Sequence, residues 1–363
     1  MKSEQLIKDV HAIREAHPEN LMVRYFDGEW FSSLGKPEQE RLLNIIATGL
    51  KNPDSQMGAY AMRPDDYALF APLFDPMIRD FHSIPPDTKI KQVSDWNFSG
   101  IQGDLSAIDQ RLADTSMRVR VARNVAAYPL PGAMSRDERL SFEALAVEAF
   151  SVLMKDPGFG GQYLSLTPGS PHQMSEREYT SRVQAHQMFK DMSADRYLNA
   201  AGISADWPHG RGMYVSEQED FLVWVGEEDH LRIMAMRRGG DLKALFTRLH
   251  GGLEKLEHLL PPFAMSPTYG ALNSCPTNLG AGMRASLHLK LPSLTQGDAD
   301  LKRLKLLAQP LGLVVRGAAG EHSGAGEGGL VDISPNARLG VSEKEILNRL
   351  YQGTKTLWAA EIR

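Results

Sequence analysis

Between Gly210 and Arg237 the chain carries two runs dense in β-formers, Phe221–Val225 (FLVWV) and Leu231–Met236 (LRIMAM), separated by the short link Gly226-Glu227-Glu228-Asp229-His230. Apolar runs bounded by a Gly-led polar cluster read as two buried strands joined by a tight turn. A chain with such a pair must build a sheet around it. The turn then sets three acids and His230 at one lip of that sheet, with Arg232 entering the next strand. The ordinary fate of such a cluster is a solvated hairpin tip. A metal centre is the other reading, but one short turn rarely supplies a closed ligand set, and no second His or Cys cluster supports it.

At 363 residues the chain has room for two domains with full cores. A net charge of -5 argues against broad nucleic-acid or anionic-membrane binding as the main task. No apolar run approaches the roughly 18 residues of a membrane span. The first residues, MKSEQLIKDVHAIREAH, form an amphipathic pattern containing acids and resemble neither a secretory signal nor a transit peptide. Cys275 is the single cysteine, which excludes an internal disulfide and points to a reducing, cytoplasmic setting.

Residues 1–88 read as a small all-helical domain: Pro37 opens a helix through Leu42, Leu43, Ile45 and Ile46, and the apolar spacing from Asp65 to Asp80 is helical but interrupted by Pro72 and Pro76. Residues 89–113 lack a sustained period and are expected to link two domains. The larger domain, 114–363, mixes strands with helices, and its short inter-strand turns predict an α+β architecture with a largely antiparallel sheet flanked by helices. Helices are expected from Ser135, from Ser175 through Phe189 carrying His186, from Asp241, and from Ser342. Cys275 sits in a Pro/Gly/Asn-rich loop, where burial in a core is not expected and nearby arginines favour a thiolate. The glycine-rich segment Gly317–Gly329 lacks the Gly-Lys-Ser/Thr of a P-loop and reads as a flap that orders over a ligand.

Five arginines, Arg118, Arg120, Arg232, Arg284 and Arg316, stand at strand beginnings or ends. In an extended chain Arg118 and Arg120 point to one face, where they repel unless an anion lies between them. Guanidinium forks match phosphate oxygens and stay charged, so convergence of these arginines would suit a polyphosphate undergoing phosphoryl transfer. Glu228 and Glu321 have the opposite preference, for a guanidinium or amine whose proton they can accept.

The segments SMRVRVARN, LVWVGEEDHLR, SCPTNLGAGMRASLHLKLP and VRGAAGEH, in this order, resemble the phosphagen (ATP:guanidino) kinase family over essentially the whole chain, and most closely its arginine kinases. The resemblance implies nucleotide contacts from Ser116, Arg118, Arg120, His186, Arg232, Arg284 and Arg316, with His288 a further candidate. It implies a grip on the substrate guanidinium from Glu228, Glu321 and Cys275, with Thr277 alongside, and a catalytic set of Glu228, Glu321, Cys275, Arg232 and Arg284. Magnesium would arrive with ATP or ADP, held by phosphates and water, so the resemblance implies no dedicated metal ligands. The short loop Ser55, Gln56, Met57, Gly58 to Tyr60 and the acid Glu321 point to L-arginine as acceptor, giving phosphoarginine and ADP in cellular energy buffering. Taurocyamine, another small guanidine, or protein arginine is the alternative acceptor, and a nucleotide sensor without catalysis the alternative class. A monomer or a homodimer fits equally. Gln56, Ala122 and Gly226 replace a Gly, a Gly and an Asn usual in the family, Ala318 and Ala319 replace Thr-Arg, and the flap after His322 is one residue longer. These departures bear on flap closure and acceptor fit.

Overall fold

Along Ser116–Arg123 the side chains alternate half-buried and buried, with Ser116, Arg118 and Arg120 on one face and Met117, Val119 and Val121 on the other. This strand lies near the middle of the C-terminal sheet and decides which way both faces look. The computed structural model describes residues 3–297, 301–317 and 323–363. Its strands are β1 (Ser116–Arg123), β2 (Gly161–Ser165), β3 (Gly212–Ser216), β4 (Phe221–Val225), β5 (Leu231–Arg238), β6 (Met265–Ser266), β7 (Gly270–Ala271), β8 (Met283–Lys290), β9 (Leu313–Gly317) and β10 (Leu330–Pro335). Eight of them form one sheet in the order β2-β3-β4-β5-β1-β8-β10-β9, and every neighbouring pair is antiparallel. The pair β4–β5 is the one read from the sequence; β2 and β3 are additional to that reading.

The face carrying Met117, Val119 and Val121 is apolar and is covered by helices Arg136–Leu153, Leu242–Leu259 and Glu343–Glu361 in one continuous core. Two of these helices start on capping boxes. The Ser135 hydroxyl accepts from the Glu138 amide at 3.3 Å while Glu138 accepts from the Ser135 amide at 2.7 Å, and Ser342 with Glu345 repeats the arrangement. The opposite face is apolar only toward the β2 edge, where Leu222, Trp224 and Met234 pack against Met188, Phe189 and Met192. Toward the centre it is left polar.

The N-terminal region is helical, as expected. Pro72 and Pro76 do not interrupt its Ala71–Phe81 helix. Pro72 sits in the first turn, where its missing N–H is no loss, and the buried face of Leu73, Phe74, Met77 and Ile78 carries the helix through Pro76. The core of this region also takes in Leu272, Cys275 and Leu279 from the distant CPTN loop. The two parts of the chain therefore close on each other beside that loop. Among the described residues, no helix is long and apolar enough to cross a membrane.

Candidate active site

Cross-strand partners in an antiparallel ladder point to the same face, so the register of the sheet collects the arginines. Arg120 pairs with Arg284 on β8, Arg118 with Ser286, and Ser116 with His288; on the other side Ala122 pairs with Arg232 on β5. Asp332 on β10 pairs with both His288 and Arg316. A cavity of about 670 Å³ opens over this polar face, lined by Ser116, Arg118, Arg120, His186, Arg284, His288, Arg316 and Asp332. Burial, followed by the charges of Arg232 and Arg118, pushes Arg120 well below the ordinary guanidinium range, and burial lowers Arg118 against the opposing charge of Asp332. Guanidinium groups keep their proton in proteins. The direction therefore marks uncompensated positive charge, which an anion in the cavity would relieve.

The acidic turn is not a solvated tip. Asp229 and His230 are buried, and the side chains of Glu227 and Glu228 are 15% and 18% exposed. Gly226 adopts a left-handed backbone (φ 72°) and donates to the His230 carbonyl at 3.0 Å, closing the turn; a side chain there would run into the Gly210 carbonyl oxygen. His230 accepts at Nδ1 from the Val125 amide (3.0 Å) and donates from Nε2 to the Pro129 carbonyl (2.8 Å). Burial lowers it to about 4, so it is a neutral structural clamp. Asp229 accepts from Asn124 Nδ2 at 2.7 Å and from the Ser274 amide at 2.8 Å, which ties the turn to the cysteine loop. Glu227 and Glu228 both face Arg232, at 2.8 and 3.2 Å. Burial pushes the Glu228 carboxyl up to about 7 against the pull of Arg232, and the neighbouring Glu227 and Asp229 add to the rise.

Three carbonyls of the Asn273–Pro276 segment accept from the N-terminal region: Asn273 from the Tyr67 hydroxyl (2.6 Å), Ser274 from the Ala61 amide (2.8 Å) and Pro276 from His82 Nε2 (3.0 Å). Cys275 is buried as a result, contrary to the expectation drawn from its polar loop; the helices that cover it are about 200 residues away in the chain. Burial, then the Glu228 charge, pushes its thiol up to about 12, the direction opposite to the expected thiolate; its Sγ lies 3.1 Å from the Thr277 hydroxyl. Tyr60 is half-buried, and after burial itself Cys275 and Glu228 are the strongest influences raising its hydroxyl. Its neighbours Ser55 and Gly58 close a turn (Ser55 Oγ to the Gly58 amide, 3.1 Å), Gln56 is exposed, and the Met57 side chain belongs to the helical core.

The fold thus brings together Glu228, Cys275, Thr277, Tyr60 and Arg232 in one cluster and Ser116, Arg118, Arg120, Arg284, His288 and Arg316 around the adjoining cavity. His186 reaches that cavity from a different backbone than expected. Its helix ends at Gln184, and His186 follows it exposed and left-handed (φ 58°). Glu321, Ala318, Ala319 and His322 lie outside the described residues. Sequence reading left four site residues unassigned. Glu227 and Asn278 stand within the quoted motifs, and Asp332 alternates correctly along β10 to face His288. Arg338 follows β10 in a turn and carries no pattern that marks it.

A family model for the C-terminal catalytic domain of ATP:guanido phosphotransferases matches residues 141–363, and one for their N-terminal domain matches residues 17–79. An arginine kinase of Artemia franciscana is 36% identical over 341 residues, covering 93% of this chain and 91% of that protein. The arginine kinase Oct f 2 of Amphioctopus fangsiao is 36% identical over 359 residues, covering 98% and 97%. Among solved structures, a duplicated taurocyamine kinase from Schistosoma mansoni with bound transition-state-analogue components superposes with a TM-score of 0.84 at 29% identity, covering 100% of this chain and 49% of that one, which is about twice as long. A lombricine kinase superposes with a TM-score of 0.83 at 26% identity, covering 95% and 92%.

Proposed function

This chain belongs to the ATP:guanido phosphotransferase family and is an ATP:guanidino phosphotransferase, and on that premise we propose that it transfers the γ-phosphoryl group of ATP reversibly to the guanidinium of L-arginine. One observation carries the mechanism: the Glu228–Cys275–Tyr60 cluster adjoins the arginine-lined cavity, with Arg232 in contact with Glu227 and Glu228 and close enough to Arg120 to disturb it. Two substrates of opposite charge would then meet at Arg232.

In this reading Arg118, Arg120, Arg284 and Arg316 hold the phosphates, Ser116, His186 and His288 line the rest of the nucleotide site, and Arg232 faces the group in transfer. Magnesium enters as the metal–nucleotide complex. Among the described residues no group of three or more His, Cys, Asp or Glu is placed to hold a metal ion. Glu228 orients the guanidinium and accepts the proton released as the N–P bond forms; a carboxyl raised toward neutrality suits proton transfer. The buried Cys275 thiol and Thr277 flank the guanidinium, whose positive charge would favour the thiolate. Glu321 would supply the second carboxylate. Alignment of two reactants can contribute on the order of 7–11 kcal/mol, the cavity arginines neutralise charge in the transition state, and closure of the Gly317–Gly329 segment would exclude water. The proposal includes domains at 1–88 and 114–363 joined by 89–113, a reducing cytoplasmic setting and a monomer or homodimer.

L-arginine is favoured by the relatives named arginine kinases over more than 90% of both chains and by the short Ser55–Tyr60 loop with Glu321. The likeness to taurocyamine and lombricine kinases favours a second reading, the same chemistry on a different small guanidine. A coupled ADP-release assay with Mg-ATP and separate L-arginine, D-arginine, creatine, taurocyamine and glycocyamine decides between them. Selective turnover of L-arginine is expected. Preference for another guanidine would overturn the acceptor, and nucleotide binding without turnover of any would turn the reading toward a protein acceptor or a sensor.

A further inference from the structure

Arg338 lies in the turn after β10, outside every motif used above. Its Nη1 donates to the Thr277 carbonyl at 2.8 Å and to Asn278 Oδ1 at 2.9 Å, and Asn278 Nδ2 in turn donates to Glu228 Oε2 at 3.4 Å. The orientation of the Asn278 amide follows from the chemistry at its two ends. A guanidinium has donors only, so it must meet the amide oxygen. The NH₂ is then committed to the Glu228 side, whatever the protonation of Glu228. An amide presenting N–H favours a carboxylate and gives nothing to the proton of a carboxylic acid.

We propose that Arg338 is a positioning residue for phosphoryl transfer, acting through Asn278 to keep Glu228 an ionised acceptor for the substrate guanidinium. This rests on the reading of Glu228 as the group that grips the guanidinium. Arg338 is not a guanidine placed for phosphate alone: its Nη1 is spent on two acceptors of the substrate-side loop, and its Nε is buried without a hydrogen bond among the described residues. Burial and Arg316 oppose its charge, while Cys275 and Glu228 favour it. Around Glu228, the groups that face it are Arg232, Glu227 and Asp229 of the turn and β5. Cys275 and Arg338 face it from the loops of the larger domain, Tyr60 from the loop after Ser55 and Tyr67 from the helix Asp66–Leu69. Burial and two acids drive Glu228 toward its neutral form, and Arg232 alone on its own element resists. Arg338 and Asn278 add the resistance from outside that element.

The test is the pH dependence of kcat/KM for the guanidino acceptor at saturating Mg-ATP, measured on the full chain and on Arg338→Met, Arg338→Lys, Asn278→Ala and the Arg338→Met/Asn278→Ala double variant. At 3.4 Å the Asn278–Glu228 bond is long, so its effect falls at the low end for a charged hydrogen bond. The acidic limb should move up by about 0.5–1 pH unit in Arg338→Met. Asn278→Ala should show the same displacement, the double variant no more than either single, and Arg338→Lys, which retains a donor, at least half of the parental behaviour. An unmoved limb in folded Arg338→Met would overturn the proposal, as would additive shifts in the double variant. So would a rise in nucleotide Kd that tracks the loss of kcat, which would make Arg338 a phosphate ligand instead. If Arg338→Met does not fold, Asn278→Ala decides alone: a displaced limb supports the relay and an unmoved one overturns it. The residual activity of Glu228→Gln separates the two readings. A limb that persists there removes Glu228 from its assigned role, whereas a limb that vanishes there but stays put in Arg338→Met removes only Arg338.

Discussion

Replacing Glu228 by Gln keeps the shape of the side chain and deletes its charge, and the structure predicts opposite effects on turnover and on stability. Turnover should fall by about 10²–10⁴-fold, the range for loss of a positioned proton acceptor. Nucleotide affinity should change little, because Arg232 keeps its 2.8 Å contact with Glu227 and the cavity arginines are untouched. The stability effect follows from burial, which lifts the Glu228 carboxyl from 4.5 to about 7. An acid raised in the folded state holds its proton there after the unfolded chain has released it. Its favourable contribution is fully present below about pH 4.5 and is lost as pH rises through about 7. At pH 8 the ionised carboxylate therefore costs the fold of order 3 kcal/mol, an upper bound since the side chain is 18% exposed. Glu228→Gln removes that cost. Urea unfolding should show parent and variant nearly equal at pH 4.5 and the variant more stable at pH 8, while a coupled ADP-release assay on the same samples shows the turnover loss. A variant less stable than the parent at pH 8 would refute the claim that burial outweighs the Arg232 ion pair. Near-normal turnover would remove Glu228 from the mechanism.

Arg120→Met should weaken nucleotide binding by about 10–100-fold, the loss of one charged hydrogen bond, yet raise the melting temperature of the nucleotide-free protein, since burial and the neighbouring Arg232 and Arg118 disfavour this charge; calorimetric titration and thermal melts check the pair. Gly58→Ala, at a left-handed position (φ 74°) where a side chain would strike Asn20 and Met22, should destabilise by about 1–3 kcal/mol and raise KM for the guanidino acceptor more than for ATP. Cys275→Ala should lower turnover without abolishing it; full activity would make the thiol a bystander. Because burial holds that thiol up to about 12, iodoacetamide should label the native protein far more slowly at pH 7.5 than the urea-unfolded chain, as mass spectrometry would show.

Periodicity and punctuation made the local elements legible. The FLVWV and LRIMAM runs became β4 and β5, and Ser135 and Ser342 became capping boxes, because those signals act within a few residues and need no partner from elsewhere. Where distant segments compete, the sequence was misleading or silent. Pro76 looked like a break, but a buried apolar face carried the helix past it. His186 looked helical, but its helix ended two residues earlier.

The same division runs through the site. Alternation within Arg118-Val119-Arg120 already put both guanidinium groups on one face, because side chains in a strand repeat every two residues. That Arg284 stands opposite Arg120, and Arg232 opposite Ala122, is a matter of register between strands far apart in the chain. The protonation of the site belongs wholly to the tertiary structure. A Pro/Gly/Asn-rich loop around Cys275 and a charged turn around Glu228 both read as solvated. The N-terminal helices close over the loop, and burial lifts thiol and carboxyl alike. The sequence determined which chemical groups this chain carries and the local elements that present them. The tertiary structure decided their company and their charge, because desolvation and cross-strand pairing depend on which remote segment arrives, and no local pattern encodes that.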